Sequence, residues 1–225
     1  MQWRVWLFAI GICLAAIRIA SGTTLNVSGT TALTVTSEPH RIVLAWSGPV
    51  EAPMQAKLAE ALERFEDDPR KIVLSLHSPG GLVQHGHQVI KTIRKASHKR
   101  PIETLVEAGK TCASMCVPIY LVGAERSAHP SARFMFHEVR IKRTAESDHA
   151  MRDLQRRAPG VDVSAIQRQA EEHFTNELFD EDLGPRAINK RWLERVRSKI
   201  QGRDAWFTAQ QLVKEDSGVV FALTK

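Results

Sequence analysis

Three short segments of the chain carry the residue types that acyl transfer at a carbonyl group requires. An apolar run ends in Ser-Pro-Gly-Gly at residues 72–81, a serine lies between two cysteines at residues 109–116, and a histidine ends an apolar run within residues 132–139. In this order they supply backbone hydrogen-bond donors for an oxyanion, a nucleophile and a base. The pattern therefore predicts a hydrolase.

Within these segments, five residues are the candidates for the reaction. Gly80 and Gly81 follow a predicted strand, and their backbone N–H groups are not covered by a side chain. This makes them candidate donors of hydrogen bonds to an oxyanion. Ser114 lies at a predicted strand–helix junction as the candidate nucleophile, and the N–H of Met115 is the second candidate donor. His137 is the candidate base. Each feature also has a purely structural interpretation: a turn, a helix N-cap and a strand-end histidine.

The flanking sequence predicts strands that alternate with helices. A helix is predicted to begin near Pro53, because proline suits a first turn, and Thr208 is the predicted N-cap of a last short helix. Such alternation indicates an α/β fold with right-handed βαβ crossovers and a parallel sheet. The predicted strands cover residues 41–46, 71–76, 102–107, 134–136 and 219–223, and the predicted helices include one at 114–121 and a mostly helical stretch at 144–201.

Together these motifs resemble the proteolytic subunit of the Clp protease, in the Clp/crotonase superfamily. The resemblance runs from about residue 41 to residue 123, continues through His137 and resumes at the tail. Ala113-Ser114-Met115 matches the nucleophile segment of that family, Met135-Phe136-His137 matches its base segment, and Gly86 matches a helix glycine. The resemblance implies a Clp/crotonase-like spiral of ββα units with a parallel sheet and a C-terminal helical region. It implies a serine-type endopeptidase that works through an acyl-enzyme without a cofactor.

The resemblance also nominates the acid of a catalytic triad. Residues 203–209 match the family segment that holds an aspartate, which makes Asp204 the expected acid. An aspartate in that role fixes the histidine tautomer and stabilises the imidazolium. The interval before Asp204 is longer than the family usually has, so three other carboxylates stay open for this role: Glu138, Asp180 and Asp182. Signal-peptide peptidases share the fold but use a Ser–Lys pair, which Lys110 or Lys142 would provide here.

The first 22 residues differ from the rest of the chain. Arg4 precedes an apolar stretch from Val5 to Ile17, and small residues follow at positions 20–22, which predicts a secretory signal peptide. The stretch is shorter than the ~20 residues that a spanning helix needs, and an uncleaved anchor is the alternative. We expect a periplasmic or secreted protein, or one anchored in the inner membrane and facing the periplasm. A short hairpin or an extended arm at 23–40 and one hydrolase domain at 41–225 complete the predicted organisation.

Cys112 and Cys116 are the two cysteines outside this leader. An oxidising compartment favours their pairing, and residues four apart on a helix have Cα atoms about 6 Å apart, within disulfide range. Two buried thiols are the alternative. A zinc site is disfavoured because no second cysteine pair follows at zinc spacing. Cysteines around the serine also resemble an exported Clp-like subfamily.

Other patterns in the sequence argue against further functions. The 31 basic and 25 acidic residues are interspersed, which disfavours a nucleic-acid-binding surface despite the net charge of +6. His129 is a rival base, but its polar loop predicts an exposed side chain. Three histidines near the glycine loop invite a metal interpretation, although exposed polar positions explain them more simply and no metal is predicted: His77, His85 and His87.

The expected partners follow from the predicted location and from the resemblance. Peptides or unfolded proteins are the expected substrates, and a homo-oligomer is an assembly that the resemblance allows. ATP is scarce outside the cytosol, so no ATP-driven unfoldase is expected for an exported chain. Two other functions stay open. One is a catalytically inactive Clp-like binding or scaffold module. The other is a crotonase-type acyl-thioester enzyme, which export disfavours because coenzyme A is an intracellular cofactor.

Overall fold

The computed structural model describes residues 23–26, 32–141, 145–183 and 188–225. The predicted signal segment at 1–22 lies outside these residues. Ten strands and seven α-helices are described, together with one π-helix, and the α/β class is confirmed. In chain order they are β1 Thr23–Asn26, β2 Ala32–Ser37, β3 Arg41–Ser47, α1 Ala52–Arg64, β4 Lys71–His77, α2 Val83–Ser97, β5 Ile102–Val106, β6 Thr111–Ala113, α3 Cys116–Leu121, β7 Arg126–Ala128, β8 Arg133–Phe136, α4 Ala145–Arg157, α5 Val163–Glu177, the π-helix Leu178–Leu183, α6 Lys190–Lys199, β9 Ala205–Thr208, α7 Ala209–Lys214 and β10 Ala222–Leu223.

A mostly parallel sheet forms the body of the molecule. Its strand order is β1-β2-β3-β4-β5-β7-β10, and β3, β4, β5, β7 and β10 pair in parallel. The hairpin β1–β2 adds antiparallel strands at one edge. Strand β4 is buried from Ile72 to Leu76, because helices must cover both faces of a parallel sheet. This burial places the Ser-Pro-Gly-Gly loop at the carboxyl end of a central strand.

Helices α1 and α2 pack through apolar faces at helical spacing. Met54 and Leu58 on α1 and Val89 and Ile93 on α2 are at most 1% exposed. Burying each such side chain fully contributes about 1.5–3 kcal/mol, which stabilises the packing of the two helices. On α2, Gly86 is also buried, and a Cβ atom there would lie 2.3 Å from the Cγ atom of Met115. The glycine lets α2 approach the segment that carries Ser114.

A second, three-stranded sheet brings the motif segments together. It has the order β6-β8-β9, and β6 is joined to the end of β4 by a parallel bridge between Ser78 and Cys112. Strand β9 was not predicted, because its four residues of mixed polarity show no clear alternation. The predicted helix at 114–121 begins instead at Cys116. The strand predicted at 219–223 is confined to Ala222–Leu223. Val219 and Val220 are buried by packing and lie outside the paired strand.

Most of the described chain between His137 and Asp204 is helical, as predicted. It contains α4, α5, the π-helix and α6, and α5 leads directly into the π-helix. The predicted cap of α7 is confirmed, since the Thr208 hydroxyl accepts a hydrogen bond from Gln211 N–H within a capping box. None of the helices in the described ranges is long and apolar enough to cross a bilayer.

Candidate active site

The glycine loop is fixed to its neighbours by close backbone approach. Gly81 forms a parallel bridge with Val50, and a Cβ atom on Gly81 would lie 2.2 Å from the Val50 carbonyl oxygen. Gly80 has a φ of +90°, and a Cβ atom there would lie 2.5 Å from the Cβ atom of Ser114 and 2.7 Å from the Ala113 carbonyl oxygen. Backbone atoms cannot yield to a side chain, so both positions require glycine. The loop therefore touches the candidate nucleophile directly.

Ser114 lies in a strained turn between β6 and α3. Its φ is +54°, a left-handed conformation that costs a non-glycine residue roughly 1–2 kcal/mol. The Ser114 N–H donates a 2.9 Å hydrogen bond to the Met135 carbonyl, and the Ser114 carbonyl accepts one from Val117 N–H. These bonds hold the turn open, so the serine side chain leaves the strand end instead of capping the helix. A strained strand–turn–helix position of this kind is typical of exposed nucleophiles.

Strand register brings His137 to the serine. Ala113 on β6 pairs with Met135 on β8, so the residues that follow each strand end emerge side by side. The Nε2 atom of His137 lies 2.7 Å from the Oγ atom of Ser114, a hydrogen-bond distance. In this geometry a neutral imidazole accepts the hydroxyl proton at Nε2, which is the arrangement that activates a serine nucleophile. The structure brings these two predicted residues together.

The environment of His137 favours the neutral imidazole. Burial is the largest cause, and it lowers the pKa of His137 below its ordinary value of 6.5. The charge of Arg140 lowers this pKa further, while the Glu138 backbone and the charges of Asp204 and Glu138 raise it. The net shift is downward, so the base is deprotonated at neutral pH. A base must be neutral to accept the serine proton.

The candidate oxyanion donors differ in their hydrogen bonding. The Gly80 N–H donates to the Ser78 hydroxyl at 3.1 Å, so this donor is already engaged. Among the described residues, no protein acceptor takes the N–H of Gly81 or of Met115. Donors that are fixed before the reaction and unengaged suit a developing oxyanion. The geometry therefore favours Gly81 and Met115 over Gly80 for this predicted role.

The candidate acid is near His137 but does not contact it. Asp204 is exposed, and its Oδ1 atom accepts a 3.3 Å hydrogen bond from Arg140 Nη2. Within the described part of the chain, the buried Nδ1 atom of His137 makes no hydrogen bond. The adjacent Glu138 backbone raises the pKa of His137, but it does not form a hydrogen bond with the Nδ1 atom. The structure thus contains a serine–histidine pair with an unpaired second ring nitrogen.

The other carboxylates that the sequence left open are held by different partners. Glu138 accepts a 3.0 Å hydrogen bond from the Gly202 N–H. Asp180 accepts a 2.6 Å hydrogen bond from Arg197. Asp182 pairs with His87 at 2.7 Å, between the π-helix and α2. None of these contacts involves His137.

The two cysteines on either side of Ser114 form a disulfide. Cys112 lies in β6 and Cys116 begins α3, their Cα atoms are 5.2 Å apart, and both residues are fully buried. The bond therefore bridges the strained turn that carries Ser114. It closes a short loop around the nucleophile, which limits how far the turn opens.

Apolar side chains close the space beside the two reactive residues. The cavity has a volume of about 10 Å³. One wall comes from α3 and β8, and the other comes from the π-helix. The lining residues besides Ser114 and His137 are Val117, Pro118, Met135, Phe136, Leu178, Phe179 and Leu183.

Other predicted candidates lie apart from this pair. His77 accepts a hydrogen bond from Thr111 N–H through Nδ1, and His129 contacts Ser131. All of these histidines, including His85, are partly buried rather than fully exposed. Across the described ranges, no group of three His, Cys, Asp or Glu side chains is arranged to hold a metal ion. No lysine in these ranges hydrogen-bonds to Ser114, and the Lys142 alternative lies outside the described residues.

Three contributors to the site were not predicted from the sequence. Ser78 ties the glycine loop to β6, since its carbonyl accepts from Ala113 N–H at 3.0 Å, and its place in the Ser-Pro-Gly-Gly motif could have revealed it. Arg140 holds Asp204, and the π-helix closes the cavity. No signal in the sequence indicates either of these two contacts, because they join segments that are far apart in the chain.

The chain matches one protein-family model and is similar to a solved structure. The model of the Clp protease family matches residues 35–175, which is more than half of the chain and includes both Ser114 and His137. The structure is similar to that of a ClpP1 mutant from Listeria monocytogenes, with a TM-score of 0.59, 16% sequence identity, and coverage of 81% of this chain and 91% of that chain. No curated protein sequence matches significantly. The structural match confirms the Clp/crotonase-like fold, and the chain belongs to the Clp protease family.

Proposed function

We propose that this protein is a serine endopeptidase that hydrolyses peptide bonds through an acyl-enzyme. The observation that carries the proposal is the 2.7 Å contact between Ser114 Oγ and His137 Nε2. Membership of the Clp protease family supports peptidase activity. Peptides and unfolded proteins are the proposed substrates.

In the proposed mechanism, Ser114 Oγ attacks the peptide carbonyl while His137 Nε2 accepts the hydroxyl proton. The carbonyl oxygen becomes an oxyanion, which the N–H groups of Gly81 and Met115 stabilise. The imidazolium then gives its proton to the departing amine, and the acyl group stays on Ser114. Water, deprotonated by His137, attacks the ester, and the carboxylic product leaves with the serine restored.

Asp204 is the proposed acid that supports the imidazolium. Its charge already raises the pKa of His137, and the Nδ1 atom of His137 lacks a partner among the described residues. Full engagement requires Asp204 to exchange its ion pair with Arg140 for a hydrogen bond to Nδ1–H. The same observation favours a second candidate function, an inactive Clp-like binding module, if this exchange never occurs.

A fluorophosphonate probe distinguishes the two candidates. The purified protein should be labelled covalently at Ser114, because the probe reacts with an activated serine hydroxyl. Ser114→Ala should not be labelled, and His137→Ala should be labelled far more slowly. Ser131→Ala is the matched control, since Ser131 also contacts a histidine, His129. Equal labelling of wild type and Ser114→Ala would refute the nucleophile, and absence of labelling in wild type would support the inactive module.

We also propose that the protein is exported, either cleaved and released or held by an uncleaved N-terminal anchor. The apolar segment at 5–17 and the buried Cys112–Cys116 disulfide support this location, because disulfides persist in oxidising compartments. In that setting no ATPase partner is proposed. Fusion of residues 1–22 to a reporter that is active only after export should give activity. A reporter that stays inactive would contradict export.

Self-association is the remaining proposal about partners. Membership of the Clp protease family supports this proposal. Sedimentation of the purified protein should show a species larger than the monomer, and a monomer at all concentrations would contradict the proposal.

A further inference from the structure

The cavity beside Ser114 and His137 is unusually small for a site that receives a substrate side chain. Its volume is about 10 Å³, which is about the space that one water molecule occupies by the same measure. A methyl group is of similar size, whereas a leucine or phenylalanine side chain is several times larger. The cavity thus has room for glycine or alanine beside the reactive atoms.

The π-helix supplies the wall that makes the cavity small. Phe179 and Leu183 are each 1% exposed, and Leu178 completes the apolar surface that faces α3 and β8. The opposite wall comes from Val117 and Pro118 on α3, which the disulfide at Cys116 anchors. A π-helix is rare and occurs frequently at functional sites.

Polar contacts hold the π-helix in this position from several sides. Asp182 pairs with His87 of α2 at 2.7 Å, and Asp180 pairs with Arg197 of α6 at 2.6 Å. The Arg197 guanidinium also lies 5.2 Å from the ring centre of Phe179. These contacts join the π-helix to two other helices, and the burial of Phe179 and Leu183 supplies most of the stability of the wall.

The preceding helix α5 is tied to the chain that follows His137. The Val139 N–H donates to the Thr175 hydroxyl at 2.8 Å, and the Ile141 N–H donates to a Glu171 carboxylate oxygen at 2.9 Å. Thr175 is 8% exposed and also donates to the Glu171 carbonyl. The wall is therefore positioned relative to the histidine itself.

From this geometry we infer that Phe179 and its π-helix neighbours restrict the enzyme to substrates with glycine or alanine at P1, the residue whose carbonyl is attacked. The inference rests on the proposed peptidase function and names its substrate class. A larger P1 side chain clashes with Phe179 or forces the π-helix away from α2 and α6. Phe179 is thus a specificity-determining residue.

The test measures kcat/KM for peptides that differ only at P1, with alanine, leucine or phenylalanine. Wild type should prefer alanine over leucine by about 10- to 200-fold, the discrimination that a tight apolar pocket achieves. Phe179→Ala should raise kcat/KM for leucine and phenylalanine by a similar factor. Leu178→Ala is a second, milder enlargement in case Phe179→Ala folds poorly. Phe174→Ala is the matched control, because Phe174 is 42% exposed on α5 and lies outside the cavity lining.

A binding measurement separates this inference from the proposed function. Fluorescent peptides that end in alanine or leucine are bound to Ser114→Ala, with and without Phe179→Ala, and fluorescence anisotropy gives the affinity without turnover. Tighter binding of the alanine peptide, reversed by Phe179→Ala, supports the inference even if wild type hydrolyses nothing. Equal affinity or equal kcat/KM for alanine and leucine in the Phe179-containing proteins overturns it, whether or not hydrolysis is observed.

Discussion

The part of the site that carries Ser114, the proposed nucleophile, and the part that carries Asp204, the proposed acid, are held by different kinds of contact. Ser114 is held by backbone hydrogen bonds, by the close approach of Gly80 and by a disulfide that spans its turn. Asp204 is exposed, and its partner Arg140 is exposed as well. The first side is therefore fixed by packing and backbone pairing, while the second depends on a surface ion pair.

This difference indicates which part of the site can be rearranged at low cost. Exposed ion pairs contribute only about 0–1 kcal/mol, so the Arg140–Asp204 pair can exchange readily for a bond to His137. Breaking the packed contacts at Gly80 or the turn at Ser114 would cost several times as much. Asp204, the proposed acid, is accordingly the adjustable member of the site.

The largest predicted effect separates the roles of the nucleophile and the acid. Ser114→Ala should reduce kcat by about 10⁶-fold, because the nucleophile is lost. Asp204→Asn should reduce it by about 10⁴-fold if Asp204 supports the imidazolium, since the wrong histidine tautomer is then favoured. Steady-state kinetics on a glycine- or alanine-P1 peptide measures both. A loss of less than tenfold for Asp204→Asn would show that the carboxylate stays with Arg140 throughout.

A second prediction concerns the packed side of the site. Gly80→Ala should lower kcat/KM by about 100-fold, because its Cβ atom would meet Ser114 at 2.5 Å and displace the nucleophile. Gly109→Ala is the matched control: Gly109 has a similarly left-handed φ of +69°, but no atom lies within 4 Å of an added Cβ. Both variants carry the backbone strain, and only Gly80→Ala adds the clash. Equal losses in the two variants would contradict direct contact with Ser114 as the cause.

A third prediction concerns the disulfide around the nucleophile. Replacing both Cys112 and Cys116 by alanine should lower the free energy of unfolding by about 2 kcal/mol, because the unfolded chain is then no longer constrained by the cross-link. The loss is modest because the disulfide closes a very short loop. Urea denaturation with and without a thiol reductant measures this difference. Reductant should destabilise wild type and leave the alanine double variant unchanged. No response of wild type to complete reduction would contradict a stabilising role.

The smallest predicted effect is on the pKa of the base. Because burial and Arg140 lower the pKa of His137 below 6.5, kcat/KM should rise through a pKa below that value and reach its plateau by neutral pH. Arg140→Ala removes a lowering charge and should raise this pKa. Asp204→Asn removes a raising charge and should lower it. NMR titration of the His137 imidazole measures both shifts, and shifts of the same sign would contradict the opposed charges.

Much of the fold was predictable because its signals are local. The continuous apolar run of β4 predicted a buried parallel strand, and Thr208 and Pro53 marked helix starts that the structure has. The short strands β6 and β9 were not predicted, since three or four residues carry too little periodicity. Ser114 was predicted as part of a helix start. The strained turn replaces it because backbone bonds to β8 and the approach of Gly80 outweigh local helix preference.

The sequence by itself determined the order of the motifs, the glycines that follow β4, and Ser114 and His137 as the residues to test. Those features depend on residue type and on spacing along one strand or turn, and they survive without knowledge of distant contacts. Only the tertiary structure decided that Asp204 faces Arg140 and that the π-helix narrows the site around Phe179. Both outcomes depend on contacts between segments that are far apart in the chain. Such contacts produce no pattern of residue spacing from which they could be predicted.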